Sequence, residues 1–473
     1  MHQINVAKKI VESHNIQNVD AVVKRKPLQV YCYDNDVAVT DPSGSYIVLD
    51  FGKESRGGVR LLTAEIESPT HTAQARFRFG ESLMEVYSDI GYKGATNHHA
   101  PRDFTMVVSA LSDIMFGDTG YRFVRIDFLE GAKVKIKSIY GTNEILHLPV
   151  KHGYQGKDAR IKKIFETAKR TVDLCAGSGL IWDGIKRDRL VWSGDLYPEI
   201  IALTSMYGRT KVVEDSLNFE ATRPHLDGKW LVSLETYNMW WIICACEYYF
   251  QTQANDFIEK HLDFISSNIE LFDTYVKEDG EMLYEKPFVD WPTRYQVDEK
   301  TGARCINIIA CQYAKRVFEE FGRDTVLVEK LLAKLQNGDM SVVDKKQVIG
   351  LKYFATGKLS DEEYQKLIDG GANGFSTFMS YFILKAIASR DKELAITLMK
   401  EYYGAMLDKG ATSFWEDFDV SWAEGSCRID KKPKKKEKDI HGDFGKFCYT
   451  GYRHSLCHGW SAGVIKFIEE YCE

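Results

Sequence analysis

The stretch IWDGIKRDRLVWSGDLYPE, from Ile181 to Glu199, concentrates acids, cations and flat aromatic rings in a chain of 473 residues. Its charged and aromatic members include Asp183, Asp188, Asp195, Lys186, Arg187, Arg189, Trp182 and Trp192. Neither a helical nor a strand period runs through it, although Asp195 is placed to cap a helix that has Pro198 in its first turn. Carboxyl groups are tuned by neighbouring charges, and tryptophan faces can stack on a sugar ring. The stretch therefore predicts a carbohydrate site.

Three further stretches, each expected to be a loop, place tryptophan beside acids or histidines. They are FVDWPTRY (288–295), GATSFWEDFDVSW (410–422) and YTGYRHSLCHGWSAG (449–463). Taken singly, each is ambiguous because tryptophans usually bury and acids usually cap helices or pair with cations. Four such loops in one chain favour glycoside chemistry, in which carboxyl groups supply the acid and the base.

Other classes of function find little support in the sequence. The formal net charge of −6 gives no electrostatic reason to expect nucleic acid or an anionic membrane as partner. GxSxG and P-loop motifs are absent, and the cysteines show no zinc-ligand spacing. The adjacent histidines His98 and His99, in NHHAPRD, have no carboxylate or thiol at ligand spacing, so a loop pair is expected rather than a metal site.

The ten cysteines have no disulfide-framework spacing, which favours buried reduced thiols and a reducing compartment. The first residues, MHQINVAKKIVESHN, lack the apolar core of a signal peptide, and no segment reaches transmembrane length. We therefore expect a cytoplasmic protein, with a periplasmic or secreted location left open if a signal precedes this numbering.

The pattern of the chain changes near residue 150. Before it, short segments rich in β-branched and aromatic residues alternate with turns such as DPSG and GKESRGG, which predicts an antiparallel β-sandwich over residues 1–150. After it, about a dozen amphipathic segments follow one another, largely in pairs joined by short turns. All nine tryptophans lie between Trp182 and Trp460. We expect a multidomain protein, β followed by all-α, whose residues 151–473 form a closed ring of six helical hairpins.

Three motifs in order, DGIKRDRLVWSGD, GATSFWEDFD and RHSLCHGWSAG, resemble signature segments of the α-L-rhamnosidases of glycoside hydrolase family 78. The resemblance runs from about Tyr46 onward and includes the order of a β-sandwich and a six-hairpin (α/α)6 barrel. It implies inverting hydrolysis of a terminal α-L-rhamnosyl bond, or that of a related deoxy sugar, without a metal or organic cofactor. It also implies Asp188, between Arg187 and Arg189, as the general acid and Glu416 as the general base.

The resemblance further implies a set of residues that bind the sugar. Asp183 and Asp195 correspond to acids that hold hydroxyl groups. The remaining candidates for contact with substrate are Arg187, Arg189, Trp192, Trp240, Asp290, Trp291, Trp415, His458 and Trp460. Many members of the family have glutamate where this chain has Asp188, and the shorter side chain draws the proton back by about 1.5 Å. The chain ends soon after HGWSAG, so we expect the C-terminal β domain common in the family to be absent.

Two expectations follow for the geometry of the acid and the base. Asp188 needs burial or neighbouring carboxylates to stay protonated beside two arginines, so at least one arginine should point away and pair with Asp183 or Asp195. An inverting pair should have its carboxyl groups about 6.5–9.5 Å apart. Two alternatives stay open: a six-hairpin glycosidase for another sugar such as a uronic acid, and a carbohydrate-binding relative without catalysis. The sequence does not specify the oligomeric state.

Overall fold

A computed structural model describes residues 3–29, 36–222, 234–341, 343–445 and 449–472. Up to Asn143 the regular structure is almost entirely extended, and from Ala159 onward it is almost entirely helical. This change occurs where the sequence pattern changes, around residue 150. The division into domains at that position stays a prediction.

Antiparallel β structure in the first part is confirmed. The strands within the described residues are β1 (Gln3–Val6), β2 (Lys9–His14), β3 (Ile16–Gln17), β4 (Ala38–Thr40), β5 (Ser45–Glu67), β6 (Thr72–Gly80), β7 (Asp103–Ser109), β8 (Ser112–Phe128) and β9 (Lys133–Asn143). They form one hydrogen-bonded sheet in the order β3-β4-β9-β5-β8-β6-β7, with β1 added to β9 and β2 to β5.

The two turns expected in this region have different outcomes. The DPSG segment is a turn, closed by a 3.2 Å hydrogen bond from the Gly44 N–H to the Asp41 carbonyl. The expectation of a turn at GKESRGG is wrong, because this segment lies inside the long strand β5. Its pairing with β8 shifts register between Asp50 and Ser55, and again between Gly57 and Val59. Such irregularities bend a strand without ending it.

The second part contains thirteen α-helices within the described residues. They are α1 (Ala159–Cys175), α2 (Ser193–Tyr207), α3 (Lys211–Thr222), α4 (Glu235–Thr252), α5 (Asn255–Glu259), α6 (Leu262–Asp273), α7 (Glu299–Glu320), α8 (Val326–Asn337), α9 (Lys346–Thr356), α10 (Asp361–Ile368), α11 (Ser380–Ala388), α12 (Lys392–Asp408) and α13 (Val464–Tyr471). Helix α2 begins at Ser193, so Asp195 lies in its first turn and does not cap it. A short parallel pair, β10 (Ser426–Cys427) with β11 (Lys438–Asp439), lies between α12 and α13.

The helices pack in a regular order. Contacts run from α2 to α4, α7, α9 and α11 in turn, and α13 packs against both α11 and α2. Helix α4 is buried along nearly its whole length, as expected of a segment that is apolar on every side. No helix in the described ranges combines the length and apolarity needed to cross a membrane. The eight cysteines in those ranges are unpaired thiols, as their spacing predicts.

Candidate active site

The segment between α1 and α2 folds back on itself to present Asp188. The Asp183 N–H donates to the Leu190 carbonyl over 2.9 Å, and the Leu190 N–H donates to Asp183 Oδ1 over 2.9 Å. Between these two residues, Asp188 and Arg189 both have left-handed backbone conformations, with φ of 53° and 56°. Each such conformation costs an L-residue of this kind about 1–2 kcal/mol. The rest of the protein must therefore hold this turn in place.

Two glutamates that follow strand β6 hold the turn through Lys186. The buried Lys186 ammonium lies 3.0 Å from Glu81 Oε2 and 3.3 Å from Glu85 Oε1. It also donates to the carbonyls of Tyr452 and His454, at 2.8 and 2.6 Å. Glu81, Glu85 and His441 together have the spacing of metal ligands, and Lys186 supplies a positive charge to the two glutamates of this group.

Arg189 points away from Asp188. Its Nη2 lies 2.7 Å from Asp118 Oδ2, on β8, and its guanidinium lies 4.5 Å from the centre of the Trp182 ring. The expectation that one arginine turns away is thus confirmed. The expected partner is wrong, because Asp183 is buried and accepts the Leu190 N–H, whereas Asp118 reaches solvent.

Arg187 connects the two carboxyl groups that the resemblance proposes for catalysis. Its Nη1 lies 2.9 Å from Asp188 Oδ2, and its Nη2 donates to Glu416 Oε1. The Nε donates to the Arg453 carbonyl over 2.9 Å, and the guanidinium lies 3.5 Å from the centre of the Tyr449 ring. Arg187 is therefore fixed from several sides, and a single guanidinium group lies between Asp188 and Glu416.

Glu416 is buried and is held by hydrogen bonds to both its side chain and its backbone. Its Oε2 accepts the Ser455 N–H over 3.0 Å, and its own N–H donates to the Ser455 carbonyl over 3.0 Å. The Glu416 carbonyl accepts the indole N–H of Trp460 at 2.9 Å and the hydroxyl of Thr377 at 2.7 Å. Two other segments, at Thr377 and at 455–460, thus hold the backbone of Glu416, and Ser455 also binds its carboxylate.

Asp183 and Asp195 lie with His458 in the buried part of the site. His458 Nε2 is 3.8 Å from Asp183 Oδ2 and 3.9 Å from Asp195 Oδ2. Burial raises the pKa of both aspartates well above their usual range, and burial lowers the pKa of His458 to about 4. Near neutral pH His458 is therefore uncharged, and burial favours the protonated form of both aspartates. A neutral carboxylic acid can both donate and accept a hydrogen bond, which suits the recognition of a sugar hydroxyl.

These side chains open onto one cavity of about 360 Å³, a size typical of small-molecule sites. It is lined by Asp183, Asp188, Trp192, Asp195, Leu234, Tyr237, Phe288, Trp291, Arg294, Tyr295, Glu416, Tyr449, His458 and Trp460. Four carboxyl groups thus face the same space as a set of aromatic rings. That combination can grip hydroxyl groups, stack on the apolar face of a ring and transfer protons.

The structure brings most of the expected site residues to this cavity, but not all of them. Those that line it are Asp183, Asp188, Trp192, Asp195, Trp291, Glu416, His458 and Trp460. Arg187 contacts the two proposed catalytic carboxylates from behind the lining, and Arg189 faces Asp118. Trp240, Trp415 and Asp290 are buried in the helical part. Asp290 caps the turn at 291–293, accepting the Trp291 N–H over 2.7 Å.

Several lining residues are not identified by the sequence reasoning. Phe288, Arg294 and Tyr295 belong to the FVDWPTRY loop, in which only the acid and the tryptophan are singled out. Tyr449 begins the stretch 449–463, in which only a histidine and a tryptophan are singled out, and Tyr237 lies in α4 without a distinguishing pattern. Their positions depend on how distant loops assemble, and no local spacing encodes that.

His99 is the residue from the sheet region that reaches the proposed acid. It lies in a loop, as expected, with a left-handed backbone conformation of φ 69°. Its Nε2 is 3.3 Å from Asp188 Oδ1. The segment NHHAPRD thus contributes to the site without any metal-ligand pattern.

Solved structures share this fold. The chain superposes on a rhamnosidase from Klebsiella oxytoca with rhamnose bound, with a TM-score of 0.77 and 18% identity over 100% of this chain and 96% of that one. A glycoside hydrolase family 78 rhamnosidase of Bacillus sp. GL1 gives 0.71 and 18% over 95% of this chain and 48% of that one. An α-L-rhamnosidase from Dictyoglumus thermophilum gives 0.66 and 14%, over 91% and 50%.

This chain thus spans nearly all of the Klebsiella protein and about half of each of the other two. No family model and no curated protein sequence matches the chain. The fold is that of the solved α-L-rhamnosidases. The resemblance expected from the three motifs is confirmed at that level.

Proposed function

We propose that the chain is a glycoside hydrolase that releases a terminal α-L-rhamnosyl unit, or a closely related deoxy sugar, with inversion at the anomeric carbon. One observation carries the proposal. Asp188 and Glu416 face the same aromatic-lined cavity and both contact Arg187. A pair of carboxyl groups across one sugar-sized cavity is the minimum that glycoside hydrolysis needs.

The packing order of the helices supports the fold part of the proposal. Six alternate segments, α2, α4, α7, α9, α11 and α13, contact one another in sequence and return to α2. We infer that they form the inner ring of an (α/α)6 barrel and that the remaining longer helices form the outer ring. Loops at one end of this ring would then supply the cavity.

In the proposed reaction Asp188 donates a proton to the oxygen of the leaving group. The Asp188 side chain is 18% exposed, whereas Asp183, Asp195 and Glu416 are buried. It is thus the carboxyl group placed between the floor of the cavity and its mouth, where the bond to be broken would lie. The carboxyl groups of Asp183 and Asp195 would hold hydroxyl groups of the sugar at the floor.

Glu416 acts as the base that takes a proton from the attacking water. Its ion pair with Arg187 and the hydrogen bond from the Ser455 N–H hold the carboxylate in place. The Arg187 guanidinium lies between the two carboxyl groups, and an inverting reaction requires them to be about 6.5–9.5 Å apart rather than the 5 Å of retaining enzymes. Both proton transfers are made by side chains of this chain.

Release of nitrophenol from 4-nitrophenyl α-L-rhamnoside tests the proposal. We expect turnover by the wild type and a loss of about 10²–10⁴-fold in kcat for Glu416→Gln, because a positioned base contributes on that scale. Asp188→Asn should lose less on this activated substrate than on a disaccharide, whose leaving group needs the proton more. Glu424→Gln, an exposed change on the same loop region, is the matched control.

Each outcome has a defined meaning. Proton NMR of the first product should show β-L-rhamnose before mutarotation, and α-L-rhamnose would overturn the inverting assignment. Activity that survives both Asp188→Asn and Glu416→Gln would overturn the residue assignment. The wild type could also be inactive on a whole panel of aryl glycosides, uronides included, and still bind free sugar. That result would show a carbohydrate-binding protein and not an enzyme.

A further inference from the structure

Tyr295 is a large aromatic residue placed at the mouth of the cavity. It lines the cavity together with the buried carboxyl groups, yet it is 84% exposed to solvent. Exposure increases along the cavity wall from the buried Asp183 and Asp195, through the partly exposed Asp188, to Tyr295. The ring therefore lies on the solvent side of the proposed acid.

The backbone holds the Tyr295 ring in this position at a conformational cost. Tyr295 has a left-handed conformation with φ 60°, which is unfavourable for a bulky side chain. Its N–H donates to Glu299 Oε2 over 2.9 Å, and Glu299 is itself buried at the start of α7. A buried carboxylate thus fixes a strained backbone whose side chain has few contacts of its own.

Arg294 supports one side of the ring. Its Nη1 lies 3.2 Å from Glu299 Oε1, and its guanidinium is 4.5 Å from the centre of the Tyr295 ring and 5.8 Å from that of Phe288. The Arg294 guanidinium thus lies between the buried Phe288 ring and the exposed Tyr295 ring. The support on one side leaves the rest of the ring open to solvent.

We propose that Tyr295, backed by Arg294, is the subsite for the leaving group. It takes a ring with an apolar face, either the next sugar of an oligosaccharide or an aromatic aglycone. The proposal rests on the proposed glycosidase function, because it places the departing group on the solvent side of Asp188. An exposed aromatic face aligned with a cavity that contains proton-transferring groups is what stacking of such a ring requires.

Three substrates with different leaving groups test the subsite in Tyr295→Ala. They are 4-nitrophenyl α-L-rhamnoside, an α-L-rhamnosyl-glucose disaccharide and methyl α-L-rhamnoside. We expect KM to rise about five- to tenfold for at least one of the two ring-bearing substrates, as loss of one stacking contact predicts. The KM for methyl rhamnoside should change less than twofold. Tyr295→Phe, which keeps the aromatic ring, should have a KM close to that of the wild type for every substrate. A loss confined to the aryl substrate identifies an aromatic aglycone, and one confined to the disaccharide identifies a sugar.

Wild-type turnover of the three substrates separates this proposal from the one it rests on. If the wild type hydrolyses none of the three substrates, the proposed function itself fails. If the wild type is active and Tyr295→Ala changes no substrate, or all three equally, only the subsite is overturned. Val297→Ala is the matched control, because Val297 is 83% exposed on the same segment and should leave all three substrates unchanged.

Discussion

His99 Nε2 lies 3.3 Å from Asp188 Oδ1, so a histidine from the loop before β7 contacts the carboxyl group proposed as the acid. Asp188 is therefore held on two sides, by His99 through one oxygen and by Arg187 through the other. The side chain that the resemblance places at the centre of the chemistry takes its position from both the sheet and the helical part.

Replacement of His99 by alanine should lower kcat/KM for an aryl α-L-rhamnoside about fivefold. The contact is partly exposed, so its loss should cost about 1 kcal/mol in positioning Asp188. Steady-state kinetics measure the effect. The neighbouring His98→Ala is the control and should be neutral; equal losses in both variants would show that the loop as a whole matters and not the contact.

Arg187→Met should destabilise the fold by about 3–5 kcal/mol, because it leaves the buried Glu416 carboxylate without its cation. Urea denaturation measures the change. The double variant Arg187→Met/Glu416→Gln should recover more than half of the loss. Arg189→Met provides a matched comparison: its partner Asp118 is largely exposed, so the cost should stay near 1 kcal/mol or below. A similar loss of unfolding free energy in the two arginine variants would contradict the role of Arg187 as the cation of the buried Glu416.

Asp290 should make the stability of the protein depend on pH. Burial raises the pKa of Asp290 from 3.8 to about 7, so the folded chain holds this proton when the unfolded chain has lost it. The stability that the protonated Asp290 contributes to the fold is fully present below about pH 4 and is lost as the pH rises to about 7. Relative to Asp290→Asn, the wild type should therefore lose stability by up to about 1.4 kcal/mol per pH unit in this window. Urea denaturation between about pH 4.5 and 8 tests this; parallel curves would refute it.

Tyr295→Gly should be more stable than Tyr295→Ala by about 1 kcal/mol, since glycine adopts the left-handed conformation without the Cβ conflict that any other residue meets. Both variants lack the ring, so the comparison isolates the backbone. Thermal unfolding provides the measurement. A glycine variant no more stable than the alanine variant would mean that the backbone at Tyr295 relaxes once the ring is removed.

The order of β and helical segments follows from sequence periodicity because each period reports a local burial pattern. About a dozen helical segments are expected after residue 150, and thirteen helices are found in the described residues. The GKESRGG segment shows where the approach fails. Its glycines indicate a turn, but Gly58 packs so closely on β8 that a Cβ there would lie 2.2 Å from the Gly117 carbonyl oxygen. Only the pairing of distant strands reveals that role.

Some residues of the candidate site could likewise be predicted from the sequence, and others are revealed only by the fold. Asp188 and Glu416 could be identified because they belong to motifs with a recognisable order, and the structure brings both to one cavity. The tryptophan at 415 lies beside Glu416 in sequence, yet its ring is buried against Phe418. Neighbouring side chains in a loop point in different directions, and residue type alone does not say which one faces the ligand. His99 was not assigned a role in the site because its contact joins two parts of the chain that share no local pattern.

Acids of the sheet region determine the shape of the Asp188 turn. Glu81 pairs with Lys186 on one side of Asp188, and Asp118 pairs with Arg189 on the other. The conformation of this loop therefore depends on residues outside it. Grafted onto a different helical scaffold without these acids, it would lose the clamps that keep two successive residues left-handed, and the carboxyl group would no longer aim into a cavity. Engineering of this protein for new substrates should therefore leave the Glu81–Lys186 and Asp118–Arg189 pairs unchanged and alter residues at the mouth of the cavity, such as Tyr295.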